Sequence, residues 1–185
     1  MNQPLILGAL ALLLHATPGI AQITILNEFL LASANPTQPI PNELIDAQGF
    51  VEIVTSSQDV REKNRLTEEE FLQAINSGEY ILLDARSAAN YELRHIQGAV
   101  NLPFTEFTAE TLMAIIPDSD TKVLIYCNNN FLNSPRSFAS KSVLASLNLN
   151  TQASLRAYGY ENIYELGPLL DVNNTRLPFS GTEVE

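Results

Sequence analysis

Residues 80–103 read YILLDARSAANYELRHIQGAVNLP, and their order decides the architecture. Tyr80-Ile81-Leu82-Leu83 runs without a polar break to Asp84, the pattern of a strand buried on both faces. Ala88 to Leu93 then fits a short helix. Upstream, Thr67-Glu68-Glu69-Glu70 opens another helix: Thr67 suits the N-cap, and Glu70 three positions on completes a capping box. Its glutamates complement the positive end of the helix dipole, and Gly78 closes it. Downstream, Thr108 to Ile116 predicts a helix stopped by Pro117, and Lys122-Val123-Leu124-Ile125-Tyr126 predicts a buried strand ending before Cys127. Ser134 as cap with Pro135 at the first helical position predicts a helix through Phe138, Val143, Leu144 and Leu147. A helix around Ser154 to Tyr158 and a strand from Asn162 to Leu166 follow. Strands alternating with helices imply an α/β domain with a mostly parallel sheet covered on both faces. The N-terminal flank is less regular. Asn35 to Pro41 holds three prolines and reads as a loop, and the partial alternation of Ile45 to Val54 suggests a strand or hairpin.

The chain has 185 residues, 45% of them hydrophobic, which suits one ordinary domain with a real core. Its formal net charge of −11 excludes nucleic acid and anionic membranes as partners, because phosphate binding needs clustered lysine and arginine. The nearest approach to a cluster is the scattered Arg61-x-Lys63-x-Arg65. Residues 1–21, MNQPLILGALALLLHATPGIA, contain no Asp, Glu, Lys or Arg. An apolar run from Leu5 to Leu14, broken by Pro18-Gly19 and followed by small residues before Gln22, reads as a secretory signal peptide. It is too short for a membrane span of about 20 residues. The alternative is a buried N-terminal helix. Export predicts a periplasmic or secreted protein without stable membrane association, and with no cysteine after the run a lipid anchor is not expected.

Cys127 is the single cysteine, so no internal disulfide can form. In an oxidising compartment a lone thiol is either buried and inert or kept for chemistry. It opens the loop Cys127-Asn128-Asn129-Asn130-Phe131-Leu132-Asn133, at a strand-to-helix junction of the kind where sites form in parallel sheets. Asparagines tolerate turn conformations, so the loop amides could converge on the sulfur as an anion-binding nest. From position alone, an inert core thiol and a reactive one stand equal.

The order of motifs breaks that tie. Asp84-x-Arg86, Tyr91, His95-Ile96-Gln97-Gly98-Ala99, Asn101 and Pro103, then a strand ending in Cys127, closely resemble the rhodanese-like domain signature. Tyr158 to Leu166 resembles that family's late Gly-aromatic-x-Asn-Val-Tyr-x-Leu segment. The resemblance spans roughly residues 67 to 170 and implies a rhodanese-like three-layer sandwich. The organisation it suggests is a signal peptide over 1–21, an N-terminal extension packing on the domain over 22–65, the rhodanese-like domain over 66–172 and a tail over 173–185. It also implies a sulfurtransferase. Cys127 would take a sulfane sulfur from a donor such as thiosulfate and pass it from a persulfide to cyanide or a thiol, a protein thiol included. No cofactor or metal is implied.

The resemblance makes Cys127 the catalytic residue. Asn128, Asn129, Asn130, Phe131, Leu132, Asn133, Arg86 and Arg136 are candidates for binding the donor. Each has a plainer reading: Arg86 joining Asp84 in organising the strand end, Arg136 facing solvent, and Phe131 and Leu132 anchoring the loop. His95 is expected to tie loops together. Departures from the family concentrate in the loop. Arg136-Ser137 lies nine residues after Cys127, about four more than is usual in the family, and the usual loop glycine is absent. Gly167-Pro168 replaces a Gly-Gly pair, and a common nearby Trp is missing. A phosphatase of the same fold needs an arginine six or seven residues after the cysteine, where Asn133 and Ser134 stand. The remaining alternative is a catalytically silent or redox-sensing binding module.

Overall fold

A computed structural model describes residues 40–184, and the account below concerns the unit Asp46–Glu185. Residues 1–21 and most of the Asn35–Pro41 loop lie outside the described residues. This unit opens with helix α1 (Ala47–Ser56), where the sequence pattern suggests a strand or hairpin. Asp46 decides the outcome: its carboxylate caps the helix by accepting from the Gly49 N–H at 2.8 Å. The apolar positions Phe50, Val51, Ile53 and Val54 follow helical rather than alternating spacing. Helix α2 (Gln58–Lys63) and the two-residue strand β1 (Arg65–Leu66) follow.

The capping box predicted at Thr67 opens helix α3 (Glu68–Ser77), with the Thr67 N–H donating to Glu70 at 2.8 Å. Gly78 ends it in the left-handed region at φ 71°, a conformation only glycine adopts cheaply. Then come β2 (Tyr80–Asp84), α4 (Ala88–Leu93), the short strands β3 (His95–Ile96) and β4 (Val100–Asn101), α5 (Ala109–Ile115) and β5 (Lys122–Tyr126). After the cysteine loop lie β6 (Phe131–Leu132), α6 (Leu147–Ala157), β7 (Ile163–Leu166), β8 (Leu170–Asp171) and β9 (Phe179–Ser180).

Five strands form one parallel sheet in the order β1-β7-β5-β2-β4, placing β5 at its centre. Alternation along the strands divides two cores. Leu82, Leu124, Tyr126 and Leu166 face α3 with Phe71 and Ala74. Leu83, Val123, Ile125 and Ile163 face α5 and α6 with Leu112, Ile116 and Leu155. The domain is therefore the three-layer α/β sandwich expected from the sequence. Residues 173–185, read as a tail, supply the buried Leu177 and pair β9 antiparallel with β3.

The helix expected from Ser134 to Leu147 does not form. Ser134 begins a single turn, closed by the Phe138 N–H on the Ser134 carbonyl at 2.8 Å, and the chain then runs irregularly to α6. Both ends of the helical bond three residues further on, Lys141 to Ser137, are taken by other partners. The Ser137 carbonyl accepts from Arg86 Nη1 at 2.8 Å, and the Lys141 N–H donates to Asn129 Oδ1 at 2.8 Å. The Ser134 hydroxyl, expected to cap, bonds the Ser137 hydroxyl at 2.5 Å instead. Val143 and Leu144, expected on that helix, are exposed in a short 3-10 turn. The helix expected around Ser154 begins earlier, at Leu147.

Candidate active site

Consecutive strand residues point to opposite faces, so Tyr126 and Cys127 part company at the end of β5. Tyr126 turns toward Asp84 and donates to its Oδ2 at 2.5 Å. Cys127 turns to the α6 face, where its Sγ lies 3.5 Å from the Ser146 hydroxyl at the N-cap of α6. The thiol is 1% exposed. It lines a cavity of about 140 Å³ at the C-terminal ends of β5, β7 and β1, where open parallel sheets place their ligands.

Asn130 holds this corner together. Its Oδ1 accepts from the Cys127 N–H at 2.9 Å and from Asn148 Nδ2 at 3.1 Å. Its Nδ2 donates to the carbonyls of Leu166 at 2.8 Å and Pro168 at 3.2 Å. The amide thus ties the loop to the end of β7 and the start of α6, with little capacity left for a ligand. Asn129 clasps Lys141, donating to its carbonyl at 3.0 Å and accepting from its N–H. Both asparagines line the thiol cavity, but their amides serve the loop.

The other expected binding residues lie elsewhere. Asn128 is buried on a separate groove of about 390 Å³ with Phe104, Pro103 and Lys141, and its Nδ2 has no hydrogen-bond partner among the described residues. Phe131 packs into an aromatic cluster with Phe138, 4.4 Å between ring centroids, and with Phe179 at 5.3 Å. Leu132 is exposed in β6, which pairs with β8. Asn133 takes a left-handed turn at φ 63° and donates to Asp171 at 2.8 Å. Arg136 is turned away, its side chain 76% exposed and paired with Glu183 at 3.1 Å.

Arg86 is wholly buried on the opposite side of the sheet from the thiol. It forks onto Asp84 through Nε at 2.9 Å and Nη2 at 2.5 Å, and two further N–H groups reach the carbonyls of Arg94 and Ser137 at 2.8 Å each. Phe138 lies under its guanidinium at 4.3 Å. Burial opposes its charge, but the hydrogen bonds and charge of Asp84 outweigh this and raise its pKa. Burial, then the charge of Asp84, pushes the Tyr126 phenol well above its ordinary range. Arg86 therefore organises the loop anchor and has no donor turned to the thiol. His95 ties the neighbouring turn through Nδ1 to the Tyr91 carbonyl at 2.7 Å and stacks on the Tyr91 ring.

The thiol cavity contains residues that the loop sequence did not indicate: Arg61, Arg65, Ser146, Asn148, Glu165 and Gly167. Glu165 pairs in register with Ile125 on one side and Arg65 on the other, so it shares the face of Cys127. Its carboxylate is buried and held by Arg61 through Nη2 at 2.6 Å and Nε at 3.0 Å, and by Arg65 at 3.3 Å. Burial raises the Glu165 pKa, against the lowering effect of Arg61. The sequence signal for the two arginines is the Arg61-x-Lys63-x-Arg65 spacing, which taken alone is too sparse to be a patch.

Comparison with known proteins adds the family. A model of the rhodanese-like domain matches residues 67–167, more than half of the chain. The chain is 28% identical over 90 residues to the thiosulfate sulfurtransferase PspE of Escherichia coli, covering 49% of this chain and 71% of that one. Among solved structures it is similar to the rhodanese-like domain of the Alr3790 protein of Anabaena sp., with TM-score 0.47, 18% identity, and 65% of this chain and 80% of that one covered. It is also similar to a thiosulfate sulfurtransferase of Pseudomonas aeruginosa, with TM-score 0.43, 20% identity, and 64% of this chain and 20% of that one covered.

Proposed function

Because this chain belongs to the rhodanese-like domain family, we propose that it moves a sulfane sulfur from a donor such as thiosulfate to cyanide or a thiol, through a persulfide on Cys127. One observation carries the proposal: the single thiol stands on a cavity wall at the C-terminal end of the central strand. The Cys127 thiolate attacks the outer sulfur of thiosulfate, a new S–S bond forms, and sulfite leaves with the electron pair of the old one. Cyanide then attacks the outer sulfur of the persulfide, releasing thiocyanate and regenerating the thiolate. A thiol acceptor leaves as its own persulfide, losing a proton to solvent. No net oxidant is needed in either half, and one nucleophile suffices. The Ser146 hydroxyl, beside the sulfur, can donate to the charged persulfide.

The burial of Cys127 favours one competing reading, a catalytically silent or redox-sensing module. Thiocyanate formation from thiosulfate and cyanide separates the two. Turnover that disappears in Cys127→Ser supports the transfer, whereas a protein that turns over none of several donors is the silent module. We also propose export to the periplasm or beyond, supported by the charge-free apolar run in residues 1–21. Among the described residues no helix is long and apolar enough to cross a membrane. The mass of exported material starting at Gln22 tests this, and an intact residue 1 on exported protein would overturn it.

A further inference from the structure

The thiol cavity draws its positive charge from outside the cysteine loop. Arg136 pairs with Glu183 on the surface, and Lys141 lines the separate groove with Asn128. The guanidiniums on the cavity wall belong to Arg61, in α2, and Arg65, in β1. Both precede the segment 67–167 that matches the family model. Facing them inside the cavity is one buried carboxylate, Glu165, so the wall carries two positive charges against one negative. Glu62 also bonds both arginines, but its side chain is half-exposed and screened by solvent.

Neither guanidinium is exhausted by these partners. Arg61 donates to Glu165 through Nε and Nη2 and to Glu62 through Nη1. Arg65 reaches Glu62 through Nη1, the Gly167 carbonyl through Nη2 at 3.1 Å and Glu165 through Nε. Each has five N–H donors, so both keep donors for a ligand. Asn148 is buried on the cavity wall, and its Oδ1 has no hydrogen-bond partner among the described residues; as an acceptor it suits a water or the S–H of a thiol acceptor and takes no part in holding an oxyanion.

The cavity also has an approach. A groove of about 540 Å³ along β1, lined by Glu62, Leu66, Thr67, Glu68, Pro168 and Leu170, shares Arg65 and Gly167 with it. Gly167 lets β1 come close at this boundary: a Cβ there would stand 3.1 Å from the Leu66 carbonyl oxygen. Arg65 thus stands between an open groove and the buried thiol.

We infer that Arg61 and Arg65 form the anion-binding wall of the Cys127 site, holding the oxyanion end of an anionic sulfur donor while its sulfur meets the thiol. The wall takes the place of a cation supplied by the cysteine loop. The inference rests on the sulfur-transfer reading for the identity of the anion, but the charge preference itself does not.

The test compares alkylation of Cys127 in the intact protein by iodoacetate, an anion, and iodoacetamide, which is neutral, at low salt. The ratio of the two rates is referred to that of a short cysteine peptide. It should exceed the peptide's despite the −11 net charge of the chain. Arg65→Gln should lower it about fivefold and Arg65→Lys should restore it. Added salt should shrink the ratio in the unmodified protein, a readout that needs no variant to fold. A ratio at or below the peptide's, a thiol that reacts with neither reagent, or a ratio indifferent to Arg65→Gln would each overturn the inference. In turnover, Arg65→Gln should raise the KM for thiosulfate more than it lowers kcat and leave the KM for an uncharged organic trisulfide unmoved. Equal effects on both donors would count against the wall. If no donor is turned over while the alkylation preference holds, the sulfur-transfer reading fails and the anion wall stands.

Discussion

Replacing Arg86 by methionine distinguishes a structural arginine from a substrate-binding one. The guanidinium is fully buried and its carboxylate partner Asp84 is equally buried. Methionine keeps much of the packing over Phe138 but removes the charge. Asp84 would retain only the Arg86 backbone N–H at 2.9 Å and the Tyr126 hydroxyl at 2.5 Å. Breaking a buried pair by deleting one partner costs about 3–5 kcal/mol, because the other charge is left without compensation. The carbonyls of Ser137 and Arg94 also lose their donor, which moves the expected cost toward the upper end of about 3–5 kcal/mol. Urea unfolding followed by tryptophan-independent circular dichroism gives the difference, since the chain has no Trp. A companion Asp84→Asn in the same chain removes the stranded charge and should recover part of the loss. A cost below about 1 kcal/mol would refute the assignment. So would a fall in sulfur transfer at undiminished stability, which would place Arg86 in substrate binding.

Asn130→Ala should cost about 2–4 kcal/mol in the same unfolding measurement, since it strands the Cys127 N–H and the Leu166 and Pro168 carbonyls, and Asn130→Asp should not rescue because a carboxylate cannot donate. Glu165 has a folded pKa above its unfolded value of 4.5, so its protonation favours the folded state. Its contribution to stability should grow as pH falls through that raised folded pKa toward 4.5 and fade as pH rises again. Glu165→Gln should flatten this component in unfolding curves taken across the window. Thr67→Ala removes the capping box of α3 and should lower stability by about 1 kcal/mol, measured by the urea midpoint at unchanged slope.

The fold was legible because its signals are local. Thr67 and Glu70 announce a helix start, the run at Leu82 and Leu83 announces a doubly buried strand, and the β-branched Val123 and Ile125 mark the central one. The loop after Cys127 was misread because its partners are distant in sequence. Ser134-Pro135 is a sound helix start taken alone, yet Arg86 claims the Ser137 carbonyl from 51 residues upstream and Asn129 claims the Lys141 N–H. The helix at Asp46 has another cause: its cap is local, reaching Gly49 three residues on, and it outweighs a weak alternation. The cysteine was identifiable from its place at a strand end. Its neighbours Arg61, Arg65 and Glu165 were not, because a thiol, a strand edge and a helix meet there only through the register of β1, β7 and β5.

Intact mass after incubation with thiosulfate addresses the persulfide most directly. The protein should gain about 32 Da, one sulfur atom on one nucleophile, and lose it again on addition of cyanide. Cys127→Ser should gain nothing. A wild-type protein that takes up no sulfur from any of several donors, or a Cys127→Ser variant that takes it up equally, would contradict the assignment.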